Sequence, residues 1–209
     1  MAHFSQDPVL LEAYEHNLDI HTQTASVLNH IPLEQVTPAQ RSAAKTVNFG
    51  LIYGMSAFGL AKQLGIGNAE AARLIEQYFS TYKGVFEYMG AMRQSSKKQG
   101  YVLTLMGRHI PIRAAIQKGG GDNSWRAAIN GPLQGTASEL IKKAMLDLQP
   151  WINSHQGVEM VMQVHDELVF EVPTEYLSQW IVTAQSIMES ALRLRVPLKV
   201  NYSVGSCWE

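Results

Sequence analysis

Arg41, Lys45, Phe49 and Tyr53 recur at every fourth position in the stretch Gln40-Arg-Ser-Ala-Ala-Lys-Thr-Val-Asn-Phe-Gly-Leu-Ile-Tyr-Gly54. A step of four drifts only about 40° around a helix, so the four side chains wind slowly along one face roughly 18 Å long. Two cations come first and two aromatic rings follow. That order suits a ligand with a polyanionic end and a flat, stackable end, and a nucleoside triphosphate has both. A second group, His165-Asp166-Glu167, joins two apolar, β-rich runs at Glu159 to Val164 and Leu168 to Val172. A carboxylate fixed at a strand end is a hard oxygen donor of the kind Mg²⁺ takes, although Asp and Glu are equally at home in turns that bind nothing. A third group, Arg126, Asn130 and Gln134, is again spaced by four. Such side chains reach acceptors on base edges and sugars; a polar helix face in solvent gives the same pattern. His21 follows Asp19-Ile20 near a helix start, and an isolated histidine there is read on chemistry alone as structural or exposed.

Other chemistries are excluded. No Cys/His set has zinc spacing. Gly119-Gly120-Gly121 lacks the Lys-Ser/Thr of a phosphate-binding loop, and there is no Gly-x-Gly-x-x-Gly after a strand or Gly-x-Ser-x-Gly elbow.

The elements that must hold these groups are legible in outline. Thr37-Pro38-Ala39-Gln40 reads as a helix start, with Thr37 as cap, Pro38 at the first turn and Gln40 completing a capping box. The face opposite the stripe offers Ala44, Val47, Leu51 and Met55 for burial. Gly50 and Gly54 each cost about 1 kcal/mol inside a helix, which marks a bend, a close approach or a mobile element. Gly65-Ile66-Gly67 breaks the pattern, Asn68 caps a second helix to about Tyr82, and a third ends near Gly100. Residues 101–112 alternate as strands do, and Gly119-Gly120-Gly121 reads as a turn or loop. A helical stretch from about Asn123 is expected to break at Gly131-Pro132, resume after Gly135 and end at Gln149. Pro173-Thr174 opens a helix to about Arg195, and Leu198 to Val204 reads as a further strand. The fold class expected is α+β, with an antiparallel sheet and helices on one face.

The 209 residues allow one large domain or two small ones, and 46% hydrophobic with 17% charged residues is ordinary globular composition. No run approaches the ~20 apolar residues that span a bilayer. The first residues lack the basic and apolar regions of a secretory signal, and the lone Cys207 has no internal partner; both fit a reducing cytoplasm. The net charge of −1 conceals a division. Residues 1–40 carry five acids and no Lys or Arg, for −5; residues 41–143 carry fourteen bases and five acids, for +9; residues 144–209 carry three bases and eight acids, for −5. A basic block between acidic flanks fits a polyanionic partner, and a solvated Lys-rich surface reads the same way.

Taken together, these motifs carry a resemblance. Arg41-x-x-x-Lys45-x-x-x-Phe49-Gly-x-x-Tyr53-Gly54 resembles the fingers motif of family A DNA polymerases, the bacterial DNA polymerase I type. Gln163-Val-His165-Asp166-Glu167 resembles the palm motif of that family, and Asp19-Ile-His21 and Ala128-Ile-Asn130-Gly-Pro-Leu-Gln134-Gly-Thr136 are further matches in family order. The resemblance implies a template-directed DNA polymerase that adds dNTPs to a primer 3′-hydroxyl by two-metal phosphoryl transfer, acting in DNA replication or repair in the cytoplasm, at the nucleoid. It implies a palm remnant at 1–21, helical fingers at 22–125 and partial palm at 126–209. His21, Arg41 and Lys45 would bind the triphosphate, Lys45 with a catalytic role; Phe49 would pack against base and sugar, and Tyr53 would lie near the templating base. Arg126, Asn130, Gln134 and His165 would contact the primer–template minor groove. Asp166 would ligate catalytic Mg²⁺, one of two ions in an intact enzyme, with Glu167 beside it. The resemblance also implies that the family's other metal-binding Asp, its steric-gate Glu, the thumb and the nuclease domains fall outside this chain, while residues 113–125 match poorly. Two ions about 3.5–4 Å apart need carboxylates on both, so the isolated chain is expected to be inactive or severely impaired. Its expected partners are primer–template DNA, dNTPs and the missing N-terminal part, with no membrane. The alternative is a non-catalytic nucleotide- or DNA-binding fragment, or one half of a split polymerase.

Overall fold

The computed structural model describes residues 1–112 and 121–207, which divide into two compact units, Met1–Gly135 and Thr136–Glu209. The first unit holds α1 (Ala2–Ser5), α2 (Pro8–Glu15), α3 (Ile20–Asn29), a 3₁₀ turn (Leu33–Gln35), α4 (Pro38–Ile52), α5 (Ala57–Leu64), α6 (Asn68–Thr81), α7 (Lys83–Gln99) and a hairpin of β1 (Tyr101–Leu103) and β2 (His109–Pro111). Helix α8 (Gly121–Ser154) begins in this unit, and the unit boundary falls within it. The second unit adds β3 (Glu159–Val164), β4 (Glu167–Glu171) and α9 (Leu177–Ser190). The class is α+β, mostly helical, with two small antiparallel sheets among the described residues.

Local chemistry sets the helix ends. Thr37 accepts from Gln40 N while the Gln40 side chain accepts from Thr37 N, so the expected capping box forms and Pro38 opens α4. Asp7 caps α2 and also accepts from Gly84 N at 2.8 Å, tying the N-terminal helices to the start of α7. Each such cap stabilises its helix by about 1 kcal/mol. Ala44, Val47 and Leu51 are buried on α4, as the pattern predicts.

α4 ends earlier than the four-residue stripe. Gly54 lies at φ +76°, Gly54 N bonds Leu51 O, and Met55 N bonds Gly50 O. This is a Schellman closure, which requires a left-handed residue at the position Gly54 fills. Gly50 serves a different need: a Cβ there would lie 3.0 Å from Met55 Sδ, which folds over the helix end. A further short helix, α5, opens at Ser56, before the expected break at Gly65. α6 is capped by Gly67, with Asn68 as its first helical residue.

Several expectations need correction. α8 runs unbroken through Gly131-Pro132 and Pro150 to Ser154. Gly131 and Gly135 are places of close approach: Cβ atoms there would lie 3.3 Å from Ile110 and 2.6 Å from Thr104 of the β1–β2 hairpin. Pro132 is fully buried, so tertiary packing outweighs the hydrogen bond its missing N–H forfeits. The glycine turn expected at Gly119–Gly121 lies outside the described residues except for Gly121, which opens α8. α9 covers only Leu177–Ser190, short of the helix expected to Arg195. Leu198 to Val204 is not a strand, because among the described residues β3 and β4 pair only with each other. Its backbone is held instead by α9: Gln185 Nε2 donates to Val200 O at 2.7 Å, and Val200 N donates to Glu189 Oε1 at 2.9 Å.

The core of the second unit is aromatic. Leu148, Ile152, Val158, Trp180 and Ala184 are buried, with Trp151, Met160, Leu168 and Phe170 packed against them. The ring of Trp180 lies 4.8 Å from that of Trp151 and 4.7 Å from that of Phe170. This packing fixes the root of the β3–β4 hairpin whose tip carries His165 and Asp166.

Candidate functional site

Helices α3 and α4 bring the first group together. Asp19 caps α3 through Thr22 N and takes Arg41 in a bidentate pair, Nε to Oδ2 at 2.6 Å and Nη2 to Oδ1 at 3.1 Å. The guanidinium holds the Asp19 carboxyl far below the ordinary carboxylate range, opposed by partial burial and aided by bonds from Thr22. Two residues beyond this cap, the His21 ring lies 5.5 Å from that of Phe49. Phe49 and Tyr53 stack with centroids 6.5 Å apart and planes 18° apart, each 47% exposed. Lys45 is exposed between Arg41 and the rings. The ridge therefore presents cations, an imidazole and two open aromatic faces in the expected order, although Tyr53 sits at the cap and not within the helix. A cavity of about 300 Å³ flanks it, lined by Lys45, Phe49, Gly50, Tyr53 and Met55 among others.

Burial lowers the His21 pKa; Asp19 pulls it up, and Arg41 and Lys45 push it down again. The ring is thus neutral at physiological pH. Such a ridge has the charge and hydrogen-bonding groups to bind a polyphosphate and flat π-faces open to a base.

On α8, Arg126 donates from Nε to Gly54 O at 3.2 Å, and a Cβ on Gly54 would lie 2.9 Å from Arg126 Cγ. Arg126 therefore packs on the turn that ends the aromatic ridge. Asn130 is buried and donates to Arg126 O at 3.0 Å, so it points inward, while Gln134 is exposed.

In the second unit, β3 and β4 pair from Glu159↔Glu171 to Val164↔Glu167, leaving His165-Asp166 as a two-residue turn. The shift between Met160 and Met162 makes a bulge at Val161. His165 adopts φ +53°, a conformation that costs a non-glycine residue about 1–3 kcal/mol and that the pairing of Val164 with Glu167 closes into the turn. Gln163 Nε2 donates to His165 O across the turn. His165, Asp166 and Glu167 are all exposed. Among the described residues no three His, Cys, Asp or Glu side chains gather to cage a cation. Mg²⁺ rarely needs such a cage; it takes one or two carboxylates and completes its shell with water and substrate phosphates. The open tip carboxylates fit that partial role.

Two residues in the network carry roles that spacing did not single out. Asp19 was visible only as part of the Asp19-Ile-His21 motif. Asn48 is 4% exposed on the apolar face of α4, between Val47 and Leu51, and bonds to His21. A polar residue at a position patterned for burial is the signal that marks it.

The model of DNA polymerase family A matches residues 1–209. DNA polymerase I of Pseudomonas aeruginosa is 44% identical over the whole chain, which covers 23% of that protein. DNA polymerase I of Bacillus caldotenax is 42% identical over the whole chain, covering 24% of it. The POL domain of Pol1 from M. smegmatis, solved in complex with DNA primer-template and dNTP, superposes with a TM-score of 0.89 at 36% identity, over 95% of this chain and 35% of that one. The chain belongs to DNA polymerase family A. It spans about a quarter of the length of the curated relatives it matches. No described helix is long and apolar enough to cross a membrane.

Proposed function

We propose that these residues form the nucleotide-binding fingers and part of the palm of a template-directed DNA polymerase that adds dNTPs to a primer 3′-hydroxyl. The observation that carries the reading is the α3–α4 ridge, where Arg41, Lys45 and His21 precede the stacked, half-exposed rings of Phe49 and Tyr53. Arg41 and Lys45 neutralise the triphosphate, and Lys45 also offsets charge that builds on the departing phosphates. Phe49 packs against the base and sugar. Tyr53, seated beside the Arg126–Gly54 contact, lies where a templating base is tested. Arg126, Asn130, Gln134 and His165 serve the primer–template duplex; Asn130 is buried, with its amide bonded to the α8 backbone at Arg126 O. Asp166, with Glu167 beside it, would hold Mg²⁺, which lowers the pKa of the primer hydroxyl and balances the pyrophosphate charge. Fingers at 22–125 and palm at 126–209, with 1–21 completing the palm, divide the work, which belongs to DNA replication or repair in the cytoplasm, at the nucleoid.

A fluorescent dNTP titration tests the ridge. Lys45→Ala is expected to weaken binding about tenfold or more, as loss of a charge-assisted contact does. Equal binding by both proteins would remove the ridge from the reading. The purified 209-residue chain, with only the hairpin carboxylates assigned to metal, is expected not to extend a primer with Mg²⁺; robust extension would refute that, and binding without extension favours the alternative of a non-catalytic binding fragment or split half.

A further inference from the structure

A buried hydrogen-bond chain lies behind the ridge. Thr24 is fully buried on α3 and its hydroxyl donates to Ile20 O at 2.8 Å. With its single proton committed there, its lone pairs face two neighbours: Tyr82 OH at 2.9 Å, at the α6–α7 junction, and Asn48 Nδ2 at 3.0 Å. Asn48 Oδ1 lies 3.2 Å from the same hydroxyl, so the amide meets Thr24 edge-on. The second hydrogen of Asn48 Nδ2 then points at His21 Nδ1, 3.1 Å away. In this orientation the amide offers His21 Nδ1 an N–H, which a ring nitrogen can take only through its lone pair.

A neutral imidazole carries one N–H and one acceptor, and the partner of one nitrogen decides which. From this arrangement, and resting on the nucleotide reading of the ridge, we propose that Asn48 is a positioning residue that holds His21 as the Nε2–H tautomer, giving the ring's other nitrogen a proton to donate to a polyphosphate. Without Asn48 the ring is free to carry its proton on Nδ1, and Nε2 then presents a lone pair to an anion. The charge of the ridge would be unchanged, yet one donor would become an acceptor. Asn48 thus acts through His21 and touches no ligand.

The test is a long-range ¹H–¹⁵N spectrum of the full chain with ¹⁵N-labelled histidine in mildly alkaline buffer, His21 being assigned by the signal lost in His21→Gln. The expected wild-type pattern is Nε2–H. Asn48→Asp, whose carboxylate accepts where the amide donated, is expected to move the proton to Nδ1 and to weaken Mg·dATP binding about tenfold. A wild-type ring protonated on Nδ1, or an Asn48→Asp ring that keeps Nε2–H, overturns the proposal; if that variant fails to fold, the wild-type spectrum decides. Binding lost in Lys45→Ala but not in His21→Ala overturns this inference alone, whereas loss in neither overturns the nucleotide reading.

Discussion

Arg41 does not wait as a bare cation: Asp19 holds it in a two-point pair while also capping α3. On the proposed reading, a polyphosphate would share or replace a carboxylate that already orients the guanidinium, and the planar fork of Arg suits such an exchange better than the point charge of Lys. The pair gives acid pH a defined effect. The folded pKa of Asp19 is depressed, so its contribution is present above the ordinary carboxylate pKa of about 3.9 and is lost as pH falls through the lower folded value. The side chains are 47% and 40% exposed, so screening keeps the contribution within about 1 kcal/mol. His21 acts at milder pH: its folded pKa is lowered mainly by burial, so its contribution is full above about 6.5 and declines as the unfolded ring protonates below that. Asp19→Asn keeps a helix cap and removes the charge. Denaturant melts of this variant are expected to match wild type within about 1 kcal/mol at neutral pH and to lose less stability on acidification. An acid profile identical to wild type would show that the pair contributes nothing.

At the scale of elements, the α4–α5 junction concentrates the constraints. Gly54 needs its left-handed backbone for the Schellman closure and its lack of a side chain for the seat of Arg126. Gly54→Ala meets both, and a loss of about 1–3 kcal/mol is expected in chemical denaturation, with Gly65→Ala, which has open space around it, as the control for φ alone. Equal losses at the two positions would show that the Arg126 contact adds nothing. The same junction shows what sequence could and could not supply. The capping box at Thr37 and the buried face of α4 are local chemistry, decided by residues within one turn, and they were legible. Gly50 and Gly54 look alike in the chain; only Met55 and Arg126, brought in by the fold, separate a close approach from a helix end. For the same reason Gly131-Pro132 reads as a break until the β1–β2 hairpin is seen lying against it, and Leu198 to Val204 reads as a strand until its lack of a sheet neighbour among the described residues is seen. Residue types and spacing carried the ridge and the hairpin tip, whereas Asn48 and Asp19 emerged as partners only once α3 and α4 were side by side.

For the whole molecule, the basic block from 41 to 143 at +9, between flanks of −5, is the feature a polyanion would meet on the proposed reading. Counterion release makes association fall with salt by about 0.9 log units per log unit of salt for each phosphate neutralised. Only the cations that face the duplex count, so a slope of about −3 to −5 is expected for primer–template binding measured by anisotropy over a salt series. A slope near zero would assign the block to a solvated surface. Each compact unit also carries its own optical label. Trp151 and Trp180, 4.8 Å apart with planes inclined by 39°, lie close enough for their electronic transitions to mix. Coupled indoles give a paired band in near-ultraviolet circular dichroism that a solitary indole such as Trp125, beneath the Lys97 ammonium, does not. That band arises in the second unit alone, so its disappearance on heating dates the opening of the layer behind the β3–β4 hairpin independently of the helices that carry the ridge.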